Sequence, residues 1–189
     1  MAHRTPAPRW RVAGAAARTA EFLVLAPGVV AGLLPWWLTD WHAHDVWLPA
    51  RAVAAVLIAG GAAALIHAFA RFVIEGAGTP APAYPTERLV VGGLYRYVRN
   101  PMYLAVGATI LGQALLLGQP VLVAYAGAFA VAVAAFVYGY EQPTLAYRFG
   151  DQYEAYRSAV PAWLPRLRPW NGVITPAPDR RSDDADALA

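Results

Sequence analysis

The chain has 189 residues, of which 58% are hydrophobic and only 14% charged, with a mean hydropathy of +0.38; soluble domains sit nearer a quarter charged, so this is membrane-protein composition. There is no cysteine, which excludes disulfides, thiolate metal sites and cysteine nucleophiles. The net charge of +3 rests on arginine alone, since lysine is absent, which excludes Schiff-base and P-loop lysines; the arginines flank apolar segments, which points to membrane topology and not to nucleic-acid binding.

Runs of about 20 apolar residues are long enough to cross a bilayer core as helices. The first covers residues 19–38 and ends in Trp36 and Trp37, which suit an interfacial belt. It is too long for a signal-peptide core and lacks a small-residue cleavage site, so it is expected to be retained. The following loop, "DWHAHD" at 40–45, offers two histidines and two aspartates. Without a helical i,i+4 pair or a further ligand these read as ordinary interfacial residues, and no metal site is expected. The second run covers 47–70. Its His67, four residues before Arg71, reads as a packed, hydrogen-bonded residue in preference to a catalytic one.

Residues 71–101 are too long for a mere connector in a compact protein. Their Pro-rich half should be extended, and "GAGTPA" at 76–81 is no dinucleotide fingerprint, because it follows a membrane helix and Pro80 blocks the required helix start. The third run, 102–118, and the fourth, 120–140, are separated by little more than Gln119, which predicts an antiparallel hairpin. Glu141 ends the fourth run where arginine is the usual residue. A carboxylate at that depth costs free energy unless it is paired, and Arg96, Arg99 and Tyr103 are the candidate partners.

In 141–168, Leu145, Phe149, Gln152 or Tyr153, and Tyr156 recur at helical spacing until Pro161 and Pro165. This predicts a short amphipathic helix on the cytoplasmic membrane face. The tail, 171–189, is acidic and poor in apolar residues and is expected to be disordered. Arginines precede the first run, lie between the second and third, and follow the fourth, whereas the 39–46 loop has none; both termini are therefore expected in the cytoplasm.

The combination of "GLYRYVRNPMY", a two-helix hairpin, and "YEQPTLAYRFGDQYEAYRSAVPAWLPRL" resembles the isoprenylcysteine carboxyl methyltransferase family, within a broader group that includes membrane phospholipid methyltransferases. The likeness covers about residues 76–168. It implies an all-α integral membrane protein without a Rossmann domain: one domain over residues 1–170, four spans, and cytoplasmic cofactor-binding parts at 76–103 and 141–168. It also implies S-adenosyl-L-methionine as cofactor, a lipid or other lipophilic methyl acceptor, no metal and no nucleic acid, with a bacterial inner membrane as the expected location.

Carried over by position, the family's cofactor contacts fall on Glu87, Arg88, Leu89, Val90, Tyr95, Asn100, Pro101, Met102, Tyr103 and Glu141, with Arg99 and Gln142 as additional candidates. Asn100 stands where the prenylcysteine enzymes have His, Gln142 replaces the second Glu of a pair, and Val137 occupies the place of a substrate-binding Arg. Tyrosine faces suit a sulfonium. A buried carboxylate such as Glu141 suits an ammonium or a ribose hydroxyl, while Arg88 or Arg99 suits a carboxylate. Methyl transfer is an in-line displacement on an activated carbon, so alignment is required and no dedicated nucleophile is expected. Phospholipid or small-lipid N- or O-methylation is the alternative activity. A non-catalytic scaffold or small-solute carrier is the alternative of another class, of which the carrier is disfavoured by spans with almost no central charge and no inverted repeat.

Overall fold

The structure, a computed structural model, describes residues 25–75 and 89–172, and every regular element among them is helical. Helix α1 runs Leu25–Thr39 and contains a π turn, Val29–Leu33. Helix α2 is Leu48–Glu75, and a 3₁₀ turn follows at Gly93–Arg96. Helix α3 is Pro101–Leu117 and α4 is Pro120–Phe136. A second π turn, Val137–Glu141, leads without a break into α5, Gln142–Phe149, and α6 is Asp151–Ala159. By length and composition Leu48–Arg71 and Pro120–Phe149 can each cross a membrane, and the apolar α1 and α3 are shorter.

The α2–α3 contact is the most extensive between helices. Ala54, Gly61 and Ala68 recur every seven residues along α2 and are all buried. A side chain added at Gly61 would run into Thr109 and the Ala105 carbonyl, and one at Gly112 into Ile58 and the Ala54 carbonyl. Small residues thus let the two backbones approach closely, as they do where packing replaces the hydrophobic effect. The chain turns at Gly118–Gln119, and α4 packs along α3 with Val106, Ile110 and Ala126 in one buried cluster.

The two π turns share a cause. Each is followed two residues later by a proline, Pro35 in α1 and Pro143 in α5. Proline has no N–H to give to the carbonyl four or five residues back, and one extra residue in the turn absorbs the defect. In α1 the carbonyls left over are those of Ala31 and Val30. Gln113 Nε2 donates to the first at 2.6 Å and the Tyr125 hydroxyl to the second at 2.7 Å, which fastens α1 to α3 and α4.

Two boundaries differ from the sequence pattern. The apolar run ends at residue 140, yet the helix continues to Phe149, because the π turn accommodates Pro143 without a break. The expected single amphipathic helix is two helices, since Gly150 takes φ 49° and ψ −128°, a backbone state open to glycine and not to side-chain-bearing residues. Of the first run, residues 19–24 lie outside the described residues, as do 173–189 of the tail.

Candidate functional site

The π turn delivers Glu141 to the N-terminal end of α3. There the Tyr103 hydroxyl donates to Glu141 Oε2 at 3.0 Å. Of the three candidate partners, tyrosine makes this bond; Arg99 acts on Glu141 electrostatically from nearby, and Arg96 points elsewhere. π turns are rare in helices and concentrate at functional sites, where they re-aim a side chain.

The loop ahead of α3 is fixed from two sides. On the first, Glu75 at the end of α2 accepts from Arg71 Nη1 at 2.7 Å and from the Gly92 N–H at 2.9 Å. Gly93 has φ 59°, and a side chain there would strike His67 and Arg71. These two glycines let the loop lie directly on the end of α2, where Tyr95 joins Val90 and Ala68 in a buried cluster with Met102 against it.

On the second side, residues 160–171 run across the loop as a strap. The N–H of Arg99 donates to the Pro161 carbonyl at 3.0 Å, that of Arg166 to Tyr97 at 2.9 Å, and that of Trp170 to Arg96 at 2.9 Å. Side chains add to this backbone ladder. Asn100 Nδ2 donates to the Ala162 carbonyl at 3.1 Å, Arg96 Nε to the Trp170 carbonyl at 2.7 Å, and Arg96 Nη2 to Asn171. Helix α6 supplies Tyr156, whose hydroxyl donates to the Tyr95 carbonyl at 2.7 Å, and Tyr153, whose hydroxyl accepts from Arg99 Nη1 at 3.2 Å. Tyr153, Tyr156 and Val160 form a buried cluster with Leu89, Val91 and Trp170 around it.

The electrostatics follow from burial. Desolvation pushes the Tyr95 phenol well above its usual range, and Tyr156, Glu141, Tyr103 and Glu75 push it the same way. Burial also raises Tyr153 and Tyr156, against the Arg99 charge, which lowers both. All three phenols are therefore neutral donors at physiological pH. Two buried donors, Arg99 Nε and Gln142 Nε2, have no hydrogen-bond partner among the described residues. Such groups are costly unless a ligand or water meets them.

Of the residues singled out from sequence, Leu89, Val90, Tyr95, Asn100, Pro101, Met102, Tyr103 and Glu141 are all described, with Arg99 and Gln142. Tyr103 and Glu141 are brought into direct contact, Arg99 lies beside them, and Asn100 is engaged by the strap. Leu89, Val90 and Met102 contribute packing. Glu87 and Arg88 lie outside the described residues. Glu75, Gly92 and the 160–171 strap went unread in the sequence, as did the site role of Tyr153 and Tyr156; the two tyrosines had a signal in their spacing, which was assigned to an amphipathic face.

Among the described residues there is no cluster of His, Asp and Glu that could hold a metal ion. The fold and site define a helical, membrane-type protein with a carboxylate, a guanidinium and several neutral phenols gathered at the ends of apolar helices. A family model for phospholipid methyltransferase matches residues 49–152, more than half of the chain, and the protein belongs to that family. It is thus of the membrane methyltransferase group that spans phospholipid and isoprenylcysteine enzymes, a group that generally uses S-adenosylmethionine, and it is membrane-associated. No curated protein and no solved structure matches it.

Proposed function

We propose that this protein is an integral-membrane S-adenosyl-L-methionine-dependent methyltransferase for a lipophilic acceptor, crossing the bilayer four times with both termini in the cytoplasm. The observation that carries this reading is the Tyr103–Glu141 hydrogen bond, which joins the two sequence segments at one place beside Arg99. The donor set fits the cofactor. Glu141 suits its ammonium or ribose hydroxyls, Arg99, whose Nε meets no partner among the described residues, suits its carboxylate, and neutral tyrosine faces suit its sulfonium.

When bound, the cofactor supplies a methyl group already activated for displacement. The chain's own tasks are to bind, to orient the acceptor and to exclude water. Tyr103 holds the Glu141 carboxylate in place, Arg99 is oriented by Tyr153, and the Asn100 amide ties the start of α3 to the strap. No side chain is required as a nucleophile.

For the acceptor, an isoprenylcysteine-like carboxyl group and a phospholipid head are the two candidates. One observation favours the second. Val137, at the place of the prenylcysteine enzymes' substrate-binding Arg, is an apolar side chain with 1% exposure and offers no charge to a carboxylate. Calorimetry with S-adenosylhomocysteine in detergent tests the cofactor, with binding at micromolar or better expected, about −8 kcal/mol. Labelled cofactor with a total lipid extract then identifies the acceptor. Absence of binding would overturn the reading.

A further inference from the structure

The strap has an outer face that none of these contacts uses. Leu164 is 79% exposed and Leu167 is 99% exposed, with exposed Arg168 beside them. Between Glu154 and Asp179 the chain has no carboxylate but carries Arg157, Arg166 and Arg168. The Arg166 side chain turns inward, its Nη1 donating to the Ala159 carbonyl at 2.6 Å, and Arg157 on α6 is paired with Glu154 at 3.3 Å, which leaves Arg168 as the outward charge of the strap. Trp163 links this face to the fourth apolar helix. Its Nε1 donates to the Tyr138 hydroxyl at 3.0 Å and the two rings meet edge to face.

We propose that the outer face of residues 160–168 is a membrane-surface contact, with Leu164 and Leu167 set into the headgroup layer of an anionic phospholipid leaflet and Arg168 paired with its phosphates. Three features select this partner. Leu164 and Leu167 follow Trp163, which is tied to Tyr138 of the apolar helix Pro120–Phe149 as an interfacial aromatic pair. The Arg168 charge matches the negative cytoplasmic leaflet. A two-fold contact between copies through this small face would set Arg168 near its own equivalent, like charge to like. Because the strap's inner edge is hydrogen-bonded to Arg96, Tyr97 and Arg99, the contact also sets the depth of the site, at the level of lipid headgroups. The inference rests on the membrane reading proposed above and extends it to the partner surface.

The absence of cysteine makes the test clean. Leu167→Cys, Ser158→Cys and Val131→Cys, each carrying a nitroxide, are placed in nanodiscs of phosphatidylethanolamine and phosphatidylglycerol. The ratio of relaxation by oxygen to relaxation by a water-soluble nickel complex is then read. The Leu167 ratio is expected several-fold above that of Ser158, on the exposed face of α6, and to fall toward it when Arg168→Gln is added. A Leu167 ratio equal to Ser158's, with Val131 in lipid, overturns the strap contact alone. Water at Val131 overturns the membrane reading and the strap contact with it. Spin–spin broadening at Leu167 that vanishes on dilution with unlabelled protein assigns the face to a second copy and overturns the proposal. No change with Arg168→Gln removes the anionic headgroup as partner.

Discussion

The Tyr103 hydroxyl and Glu141 Oε2 are 3.0 Å apart, and the two residues are 38 positions apart in sequence. This bond separates two roles for the carboxylate. Glu141→Gln keeps an oxygen that accepts from Tyr103 but removes the charge that a bound cation would meet. It is expected to weaken S-adenosylhomocysteine binding by about 1.5–3 kcal/mol, roughly tenfold to over a hundredfold, while the melting temperature without ligand barely moves. Tyr103→Phe removes the donor and leaves the carboxylate half-buried, and should lower stability by about 1–3 kcal/mol. Calorimetry and thermal melts on both variants check this; a pure stability loss in Glu141→Gln would assign that residue to structure alone.

Pro143 supplies a second test, because it gives the π turn its cause. In a regular helix interior, alanine is preferred over proline by about 3 kcal/mol. Pro143→Ala should therefore raise the melting temperature of the unliganded protein. It should also let the turn relax toward α geometry and rotate Glu141 off Tyr103, weakening cofactor binding by about tenfold. Opposite signs for stability and affinity are the expected result. If affinity is unchanged, the π turn is not what aims Glu141.

Much of this was legible in the sequence, for physical reasons that can be named. Apolar runs of bilayer length mark helices whatever their partners, so 47–70, 102–118 and 120–140 each fall on one. Glu141 stood out because a carboxylate beside an apolar run must be compensated, and the tyrosine that compensates it was among the three candidates. The strap was not legible. Its ladder is made by backbone N–H and carbonyl groups of residues 96–99 and 161–170, which every sequence has. The Glu75–Gly92 bond was hidden for a related reason, since its donor is a backbone amide 17 positions away. The π turns did leave a trace, Pro35 inside the first apolar run and Pro143 just past the end of the fourth, which also reads as a simple kink or stop.

Glu75 and Gly92 yield a third prediction. Glu75→Ala removes the acceptor for the Gly92 N–H and the partner of Arg71, both partly exposed, so the expected stability cost is small, about 1 kcal/mol. Cofactor affinity should fall more than stability, since the loop carrying Tyr95, Arg99 and Asn100 loses one of its two fastenings. Gly92→Ala places a methyl group against the Glu75 carboxylate and should give the same phenotype. The double variant should be little worse than either single one, because both break one contact. Additive losses in affinity would show that the two residues act separately.

The last prediction concerns alkaline pH and follows from Tyr95 and Tyr156. Both phenols are raised, chiefly by burial, above the usual tyrosine value of about 10. The folded protein thus holds these protons at a pH where the unfolded chain has released them. Above about pH 10 the native state binds more protons than the unfolded one, so unfolding free energy falls as pH rises. The contribution is complete below that point and is lost progressively above it. Melts between neutral pH and about pH 11.5, with phenolate absorbance followed in parallel, should show stability nearly flat to about pH 10 and then declining, with phenolate appearing together with unfolding. Tyr156→Phe removes one proton from this balance, to which Tyr153, also raised by burial, contributes as well. It should make the decline shallower, while costing about 1–3 kcal/mol at neutral pH because the buried Tyr95 carbonyl loses its donor. An equally steep decline in the variant would mean that the Tyr156 phenol ionises in the folded protein as readily as in the unfolded chain.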